Sequence, residues 1–247
     1  YTALGQVETV TTKWDGTTFD QRVVQYGYNA AGAQTTVTVA PGAGKLNLTT
    51  TQYYDAQGRV TKVVNAKGDG SWTVYGRDGQ ALYQINALGE VTGLTYNAQG
   101  EVVSTRRYNG GRVNVSGFGE VVTQAQLEAL LPAITSTTDA LSYVVSGTTA
   151  DGSVSYQIQA IDEKDGGHWR VVEQRTNALG QVITRVSYDR ALSTATVNGW
   201  LADNRLEAGE VTGALTALYA GVSASSNYSQ RTHMAYDSLG AVRDTAI

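Results

Sequence analysis

The chain has 247 residues and a mass of 26.2 kDa, of which 41% are hydrophobic and only 16% charged, with a net charge of −4 and a pI near 5.2. That length suffices to bury roughly 70–75% of the extended surface, and the sparse acidic balance excludes the basic stripe that a nucleic acid or an anionic membrane would require. With no cysteine there is neither a disulfide nor a thiolate metal site, and no apolar run of about 18 residues is present to insert into a membrane as a helix.

The first residues, Tyr1-Thr2-Ala3-Leu4-Gly5-Gln6-Val7, do not form a signal peptide and already have the form of a phrase that recurs. Residues 7–12 alternate as a strand does, and Trp14-Asp15-Gly16 signals a turn. Residues 22–28 lead into Asn29-Ala30-Ala31-Gly32, another copy of the phrase. A β-branched run at 35–39 ends in Pro41-Gly42-Ala43-Gly44, after which residues 46–54 feed a regular array.

Over residues 53–108 the phrase becomes periodic. It reads Tyr54-Asp55-Ala56-Gln57-Gly58-Arg59-Val60, then Asn65-Ala66-Lys67-Gly68, Tyr75-Gly76-Arg77-Asp78-Gly79, Asn86-Ala87-Leu88-Gly89 and Tyr96-Asn97-Ala98-Gln99-Gly100. Glycines at 58, 68, 79, 89 and 100 give steps of 10, 11, 10 and 11 residues, which predicts strand–turn–strand–turn in a unit of 21. Glycine accepts the positive φ such turns need, and Asn or Asp before it can bond back to its own backbone. The fold class expected is all-β, an extended antiparallel sheet of successive hairpins. Tyr54, Tyr75 and Tyr96, spaced by 21, are expected to stack across strands as a ladder.

After Tyr108 the rhythm breaks at Asn109-Gly110-Gly111. A helix start follows, with Thr123 as cap, Gln126 at the capping-box position and Val122 placed to staple onto Leu127; Pro132 keeps that helix short. Residues 141–161 return to strand character around an Asp151-Gly152 turn, and Asn177-Ala178-Leu179-Gly180-Gln181-Val182 is a clear copy of the phrase. Val211, Leu215, Leu218 and Tyr219 then form an apolar helical stripe, with Glu207 and Glu210 near its start and Gly221 past its end. The last copy is Tyr236-Asp237-Ser238-Leu239-Gly240-Ala241-Val242. The segments expected are a hairpin array at 1–115, an insertion with a short helix and a hairpin at 116–165, a repeat at 166–190, a helical insertion at 191–230 and a closing repeat at 231–247.

In these residues the chain resembles the Rhs/YD-repeat family, whose signature is Tyr-Asp or Tyr-Asn, two variable residues, Gly, often Arg, then an aliphatic residue. Tyr54 to Val60 matches in full; Tyr96 to Gly100 and Tyr236 to Gly240 match except at the Arg. The resemblance covers about half of the chain. It implies a long, coiling β-sheet of the kind that forms hollow shells in bacterial polymorphic toxins and insecticidal toxin complexes and a barrel-like shell in teneurins. It also implies an extracellular or cell-surface protein whose repeats are not enzymes. Toxin relatives carry a self-cleaving segment marked by Asp-Pro; neither proline here follows an Asp.

The chemistry the residues offer is sparse. Asp162, Glu163 and Asp165, ahead of His168, are weak candidates for Ca²⁺ ligands, against which stands a solvated hairpin turn. Asp203-Asn204 with Glu207 and Glu210 does not keep calcium-loop spacing, Gly44-Lys45 lacks the rest of a phosphate loop, and there is no Gly-x-Ser-x-Gly elbow. No cofactor and no catalytic residue is expected. Asn47, Asn114 and Asn227 begin glycosylation sequons.

The function expected is a non-enzymatic structural segment whose hairpins stack into a wall, either a cargo-enclosing shell or a filament or sheath. Its partners would be copies of itself or flanking repeats, through pairing of the strands at 1–12 or 236–247. The fit between the two chain ends also suggests one unit of a larger tandem array. The alternative is an adhesin that reads glycans or a partner surface through exposed aromatics, for which Trp14, Trp72 and Trp169 are the candidates. A hydrolase built on distant carboxylates ranks third.

Overall fold

The computed structural model describes residues 1–13, 21–42, 44–135, 139–162, 168–201, 206–220, 230–237 and 239–246. Sixteen strands and three short helices are present among them, so the chain is all-β with helical insertions. They divide into two compact units, Tyr1–Gly93 with Gly111–Thr135, and Leu94–Gly110 with Ser136–Ile247.

In the first unit β1 (Thr9–Lys13), β2 (Gln21–Tyr28), β3 (Gln34–Val39), β4 (Leu48–Tyr54), β5 (Val60–Val64), β6 (Gly70–Tyr75), β7 (Ala81–Ile85) and the start of β8 (Val91–Tyr96) each pair antiparallel with the next. Sequence neighbours are sheet neighbours, and the connections through Gly32, Gly58, Gly68, Gly79 and Gly89 are short turns. Register sets a row on one face, Tyr53–Lys62–Trp72–Ile85–Val91. The segment 111–135 folds over that face. Its Gly119 carbonyl accepts the Trp72 indole N–H at 2.8 Å, Phe118 meets the Trp72 ring edge-on at 5.7 Å, and Glu128 accepts the Tyr83 hydroxyl at 3.1 Å.

The buried residues of this unit come from both layers: Trp72, Val74, Ile85 and Val91 below, Val113, Val122, Leu127 and Ile134 above. The short α1 (Gln124–Glu128) starts with the expected capping box. The Gln126 N–H donates to Thr123 Oγ1 at 3.3 Å, and the Thr123 N–H donates to Gln126 Oε1 at 2.9 Å. It ends ahead of Pro132, which sits in a 3₁₀ turn, Leu131–Ala133.

In the second unit β9 (Val102–Arg107), β10 (Ala140–Thr149), β11 (Gly152–Asp162), β12 (His168–Asn177) and β13 (Val182–Ser187) run as antiparallel neighbours, with the two-residue β14 (Leu192–Ser193) against β12. The sheet continues from β13 to β15 (Gln230–Tyr236) and β16 (Val242–Ala246). Helices α2 (Thr194–Trp200) and α3 (Ala208–Leu218) cover one face over Tyr156, Ile158, Trp169 and Val171.

From the expected stripe on α3, Val211 and Leu215 are the buried pair, and Leu218 packs beside them. The Glu207 N–H donates to the Glu210 carboxylate at 3.0 Å and so starts the helix. The second insertion thus carries two helices where the sequence predicts one. In α2, Thr-Ala-Thr-Val-Asn-Gly-Trp has little helix propensity. It is held by the Ser193 cap on the Thr196 N–H at 3.2 Å and by burial of Val197.

Leu127 is fully buried in the layer above Trp72. Leu127→Ala is expected to cost about 3 kcal/mol in urea denaturation, with a red-shifted tryptophan emission as water reaches the first-unit core.

Candidate functional site: the repeating tyrosine turn

Seven copies of the phrase close in the same way. At the second position, a side-chain oxygen accepts two backbone N–H groups, from two and four residues on. Asp55 Oδ1 takes those of Gln57 and Arg59 at 3.0 and 2.9 Å. Asn29, Asn65, Asn86, Asn97, Asn177 and Asp237 do the same at 2.9–3.0 Å. Two backbone bonds complete the loop, here Gly58 N–H to Asp55 O and Asp55 N–H to Arg59 O, both 3.0 Å. The chain then leaves through a residue with positive φ, +78° at Gly58, a conformation only glycine takes without strain. Gly68, Gly79, Gly100, Gly180 and Gly240 hold the same place. At Gly89 a second constraint applies, because a Cβ there would lie 2.0 Å from the Val113 carbonyl oxygen.

In five of the seven Asx turns the side chain four residues on matches the Asx, while Asn29 and Asp237 have Ala33 and Ala241 there. In four of the Asn turns the amide donates to an acceptor there: Asn65 to Asp69 at 3.1 Å, Asn86 to Glu90 at 2.7 Å, Asn97 to Glu101 at 2.8 Å and Asn177 to Gln181 at 2.8 Å. Where the Asx is Asp55, the partner is a donor, and Arg59 Nε meets the carboxylate at 2.6 Å. The turn at Gly76 has no Asx and keeps only its backbone bonds, while Arg59 donates across to the Gly76 carbonyl at 3.4 Å. This pairing was readable in the sequence as a matched fourth residue, and the repeat signature alone does not reveal it.

The tyrosines fasten one repeat to the next. The hydroxyl of Tyr28 donates to Val7 O at 2.7 Å, Tyr54 to Gln34 O at 2.5 Å, Tyr75 to Val60 O at 3.0 Å and Tyr236 to Val182 O at 2.7 Å. In every case the acceptor stands six residues past the opening position of the preceding phrase, which is Tyr1, Tyr28, Tyr54 or Thr176. These turns also carry a bulge at the tyrosine position, with register shifts at Tyr28, Tyr54, Tyr75, Thr176 and Tyr236. The turns closed by Gly68 and Gly89 lie at the other ends of the strands and pair without a shift. Bulges repeated at the tyrosine end bend and twist the strands there in the same sense, and one further shift, at Ala160/Asp162, lies at the opposite end of β11 and β12.

Several sequence expectations are corrected here. The tyrosine ladder is not a stack of rings: no ring pair joins Tyr54 to Tyr75 among the described residues, and the Arg59 guanidinium lies over the Tyr75 ring at 4.5 Å. A ring spacing of one repeat spans two strands, too far for direct contact, so a long cation and a hydroxyl bridge it. Nor are Trp72 and Trp169 exposed. They are 6% and 4% accessible, and the Trp169 indole donates to Thr194 Oγ1 at 3.3 Å. Trp14, Glu163 and Asp165 lie outside the described residues, as does the Asp162 side chain. No cluster of three potential metal ligands occurs among the described residues. His168 and His233 lie on different strands, paired with Ser193 and Thr184.

One polar group the sequence does not announce is Glu173, 4% accessible in the second unit. Its carboxylate accepts Arg175 Nε at 2.5 Å and the Tyr188 hydroxyl at 2.7 Å, while Tyr156, opposite it on β11, bonds to Thr212 of α3 at 2.8 Å. Burial, then the bond and charge of Glu173, push Tyr188 well above the ordinary phenol range, and burial raises Tyr156 as well. The bond from Tyr156 to Thr212 ties α3 to the sheet, and among the described residues no buried side-chain polar atom lacks a partner.

No family model and no curated protein matches the chain. Among solved structures it is similar to a chain of the Photorhabdus luminescens Tc holotoxin pore in a TccC3 mutant, with a TM-score of 0.44 and 13% identity over 73% of this chain and 12% of that one. It is also similar to a chain in the crystal structure of TcdB2-TccC3-Cdc42, with a TM-score of 0.26 and 11% identity over 94% of this chain and 14% of that one. The chain spans only a small part of the length of either.

The matched pairs are testable by exchange. Glu101→Arg is expected to destabilise by about 1 kcal/mol, and Asn97→Asp in that background to recover most of it; a double-mutant cycle without coupling would contradict the pairing. Asp55 gives a pH signature. Burial pushes its carboxyl up, but the Arg59 N–H, guanidinium and charge, with the Gln57 N–H, outweigh this and hold it below 3.8. Its contribution is present above that ordinary value and lost as pH falls through the lower folded one. Denaturation between pH 5 and 2 is expected to show a loss that Asp55→Asn removes.

Proposed function

We propose that this chain is a non-catalytic wall segment of a larger secreted or surface-displayed polypeptide of the Rhs/YD-repeat kind, a cargo-enclosing shell or an extracellular filament or sheath. The observation that carries the reading is the hydroxyl-to-carbonyl fastening of each tyrosine phrase to the one before it. Such a joint has no natural end: the phrases opening at Tyr28 and Tyr54 each take a carbonyl from the one before and offer one to the next, so the sheet lengthens with copy number and no single repeat is a site. The exposed surface at the turn tips, with Leu4, Leu88, Leu179 and Leu239 all more than half accessible, suits contact with other protein surfaces. The glycan-reading alternative loses its two described indole candidates to burial, and no observation favours it.

Electron microscopy of the full polypeptide that carries this segment tests the proposal. Closed hollow particles are expected for a shell and continuous fibres for a sheath. Isolated compact particles with no extended sheet would overturn both.

A further inference from the structure

We infer that the gap between β9 and β10 is a docking cleft for a tyrosine side chain carried on a basic, extended segment of a separate polypeptide. The cleft lies inside the second unit, between two strands that already pair, and the inference goes beyond the wall reading without resting on it.

The four fastened joints define what is missing. In each, the ladder stops three residues short of the tyrosine, at Gln25, Thr51, Trp72 and His233. Continued in register, the tyrosine stands opposite the fifth residue past the opening of the preceding phrase, which is Gln6, Ala33, Arg59 or Gln181. From there its hydroxyl meets the carbonyl of the sixth residue. The joint after the Tyr96 phrase keeps this frame and lacks the tyrosine. The β9–β10 ladder ends at Tyr143↔Ser104, so the same register sets Ser146 opposite Glu101, the fifth residue past Tyr96. Serine has no ring to span the space to the Val102 carbonyl, the sixth-position acceptor, and among the described residues no side chain donates to it.

An open cavity of about 1230 Å³ occupies this place, lined by Glu101, Val102 and Ser104 on one side and by the consecutive residues 143–148 on the other. Side chains of a strand alternate between faces, so a consecutive run along one cavity presents the backbone edge of the strand. Beyond Tyr143 that edge of β10 pairs with nothing among the described residues, while its other edge stays paired with β11 as far as Thr149. The start of α3 closes a third side. A Cβ on Gly147 would lie 2.7 Å from that of Ala208, so the helix rests directly on the strand there.

Three features name the occupant. The Val102 carbonyl stands where a phenol hydroxyl binds in four other joints. The cavity exceeds the roughly 300–1,000 Å³ of small-molecule pockets, and the β10 edge offers the N–H and C=O groups by which an extended segment adds as a strand. Glu101 and Glu207 place two carboxylates on the walls, with no Lys, Arg or His among the described lining residues, which favours basic side chains beside the tyrosine.

The test is a fluorescein-labelled Gly-Lys-Thr-Tyr-Thr-Lys-Gly peptide titrated into the 247-residue chain, with anisotropy as readout and hydrogen exchange to locate the contact. Slowed exchange at 144–148 is expected. Binding should weaken about five-fold when phenylalanine replaces the tyrosine, the loss of one hydrogen bond, and should also weaken when glutamate replaces both lysines. Ser146→Tyr supplies the chain's own phenol and is expected to abolish binding while raising the urea midpoint. Equal binding of the tyrosine and phenylalanine peptides, slowed exchange confined to other strands, binding undiminished by Ser146→Tyr, or no binding would each overturn the cleft. So would self-association of the chain that protects 144–148 with no effect of the peptide. The peptide comparison on the unchanged chain decides the matter even where Ser146→Tyr does not fold.

Discussion

Everything regular in this chain depends on one small interaction, a side-chain oxygen that accepts two backbone N–H groups within a five-residue loop. A tight turn strands its own amides, and an unpaired amide costs free energy. Asp55 and its six Asx counterparts satisfy two of them at once and fix the geometry in which glycine must follow. Because the loop is satisfied internally, it needs nothing from its surroundings and can recur wherever the sequence writes it. The matched fourth residue, Arg59 after Asp55 or Glu101 after Asn97, saturates the remaining atoms of the Asx group.

From that closed turn the sheet acquires direction. Tyrosine turns gather on one side of the strands, each with a bulge, and the plain Asn turns closed by Gly68 and Gly89 lie on the other. The hydroxyl of one phrase reaches a carbonyl of the one before, so the tyrosines report on spacing between repeats while the Asx groups govern spacing within them. Where the turn loses its Asx, at Gly76, the neighbouring phrase lends Arg59. The joint is thus distributed over two repeats.

The insertions solve a different problem. A sheet with both faces open buries little, and the faces that hold large side chains are the ones covered: Trp72, Ile85 and Val91 under residues 111–135, Tyr156, Ile158 and Trp169 under α2 and α3. Glu173 marks the margin of the second cover, where a carboxylate between strands is saturated by Arg175 and Tyr188.

The sequence by itself determined the turns, hence the strands and their antiparallel order, because each turn is made from residues within five positions of one another. It also located α1 and α3, whose caps and apolar spacing are local. Only the tertiary structure decided which face of each strand is covered, that Trp72 and Trp169 face inward, that α2 forms from poor helix residues, and that tyrosine meets a carbonyl and a cation where a ring was expected. Those outcomes depend on residues brought together across the sheet or laid over it by an insertion, and no local pattern encodes a partner that lies twenty or fifty positions away.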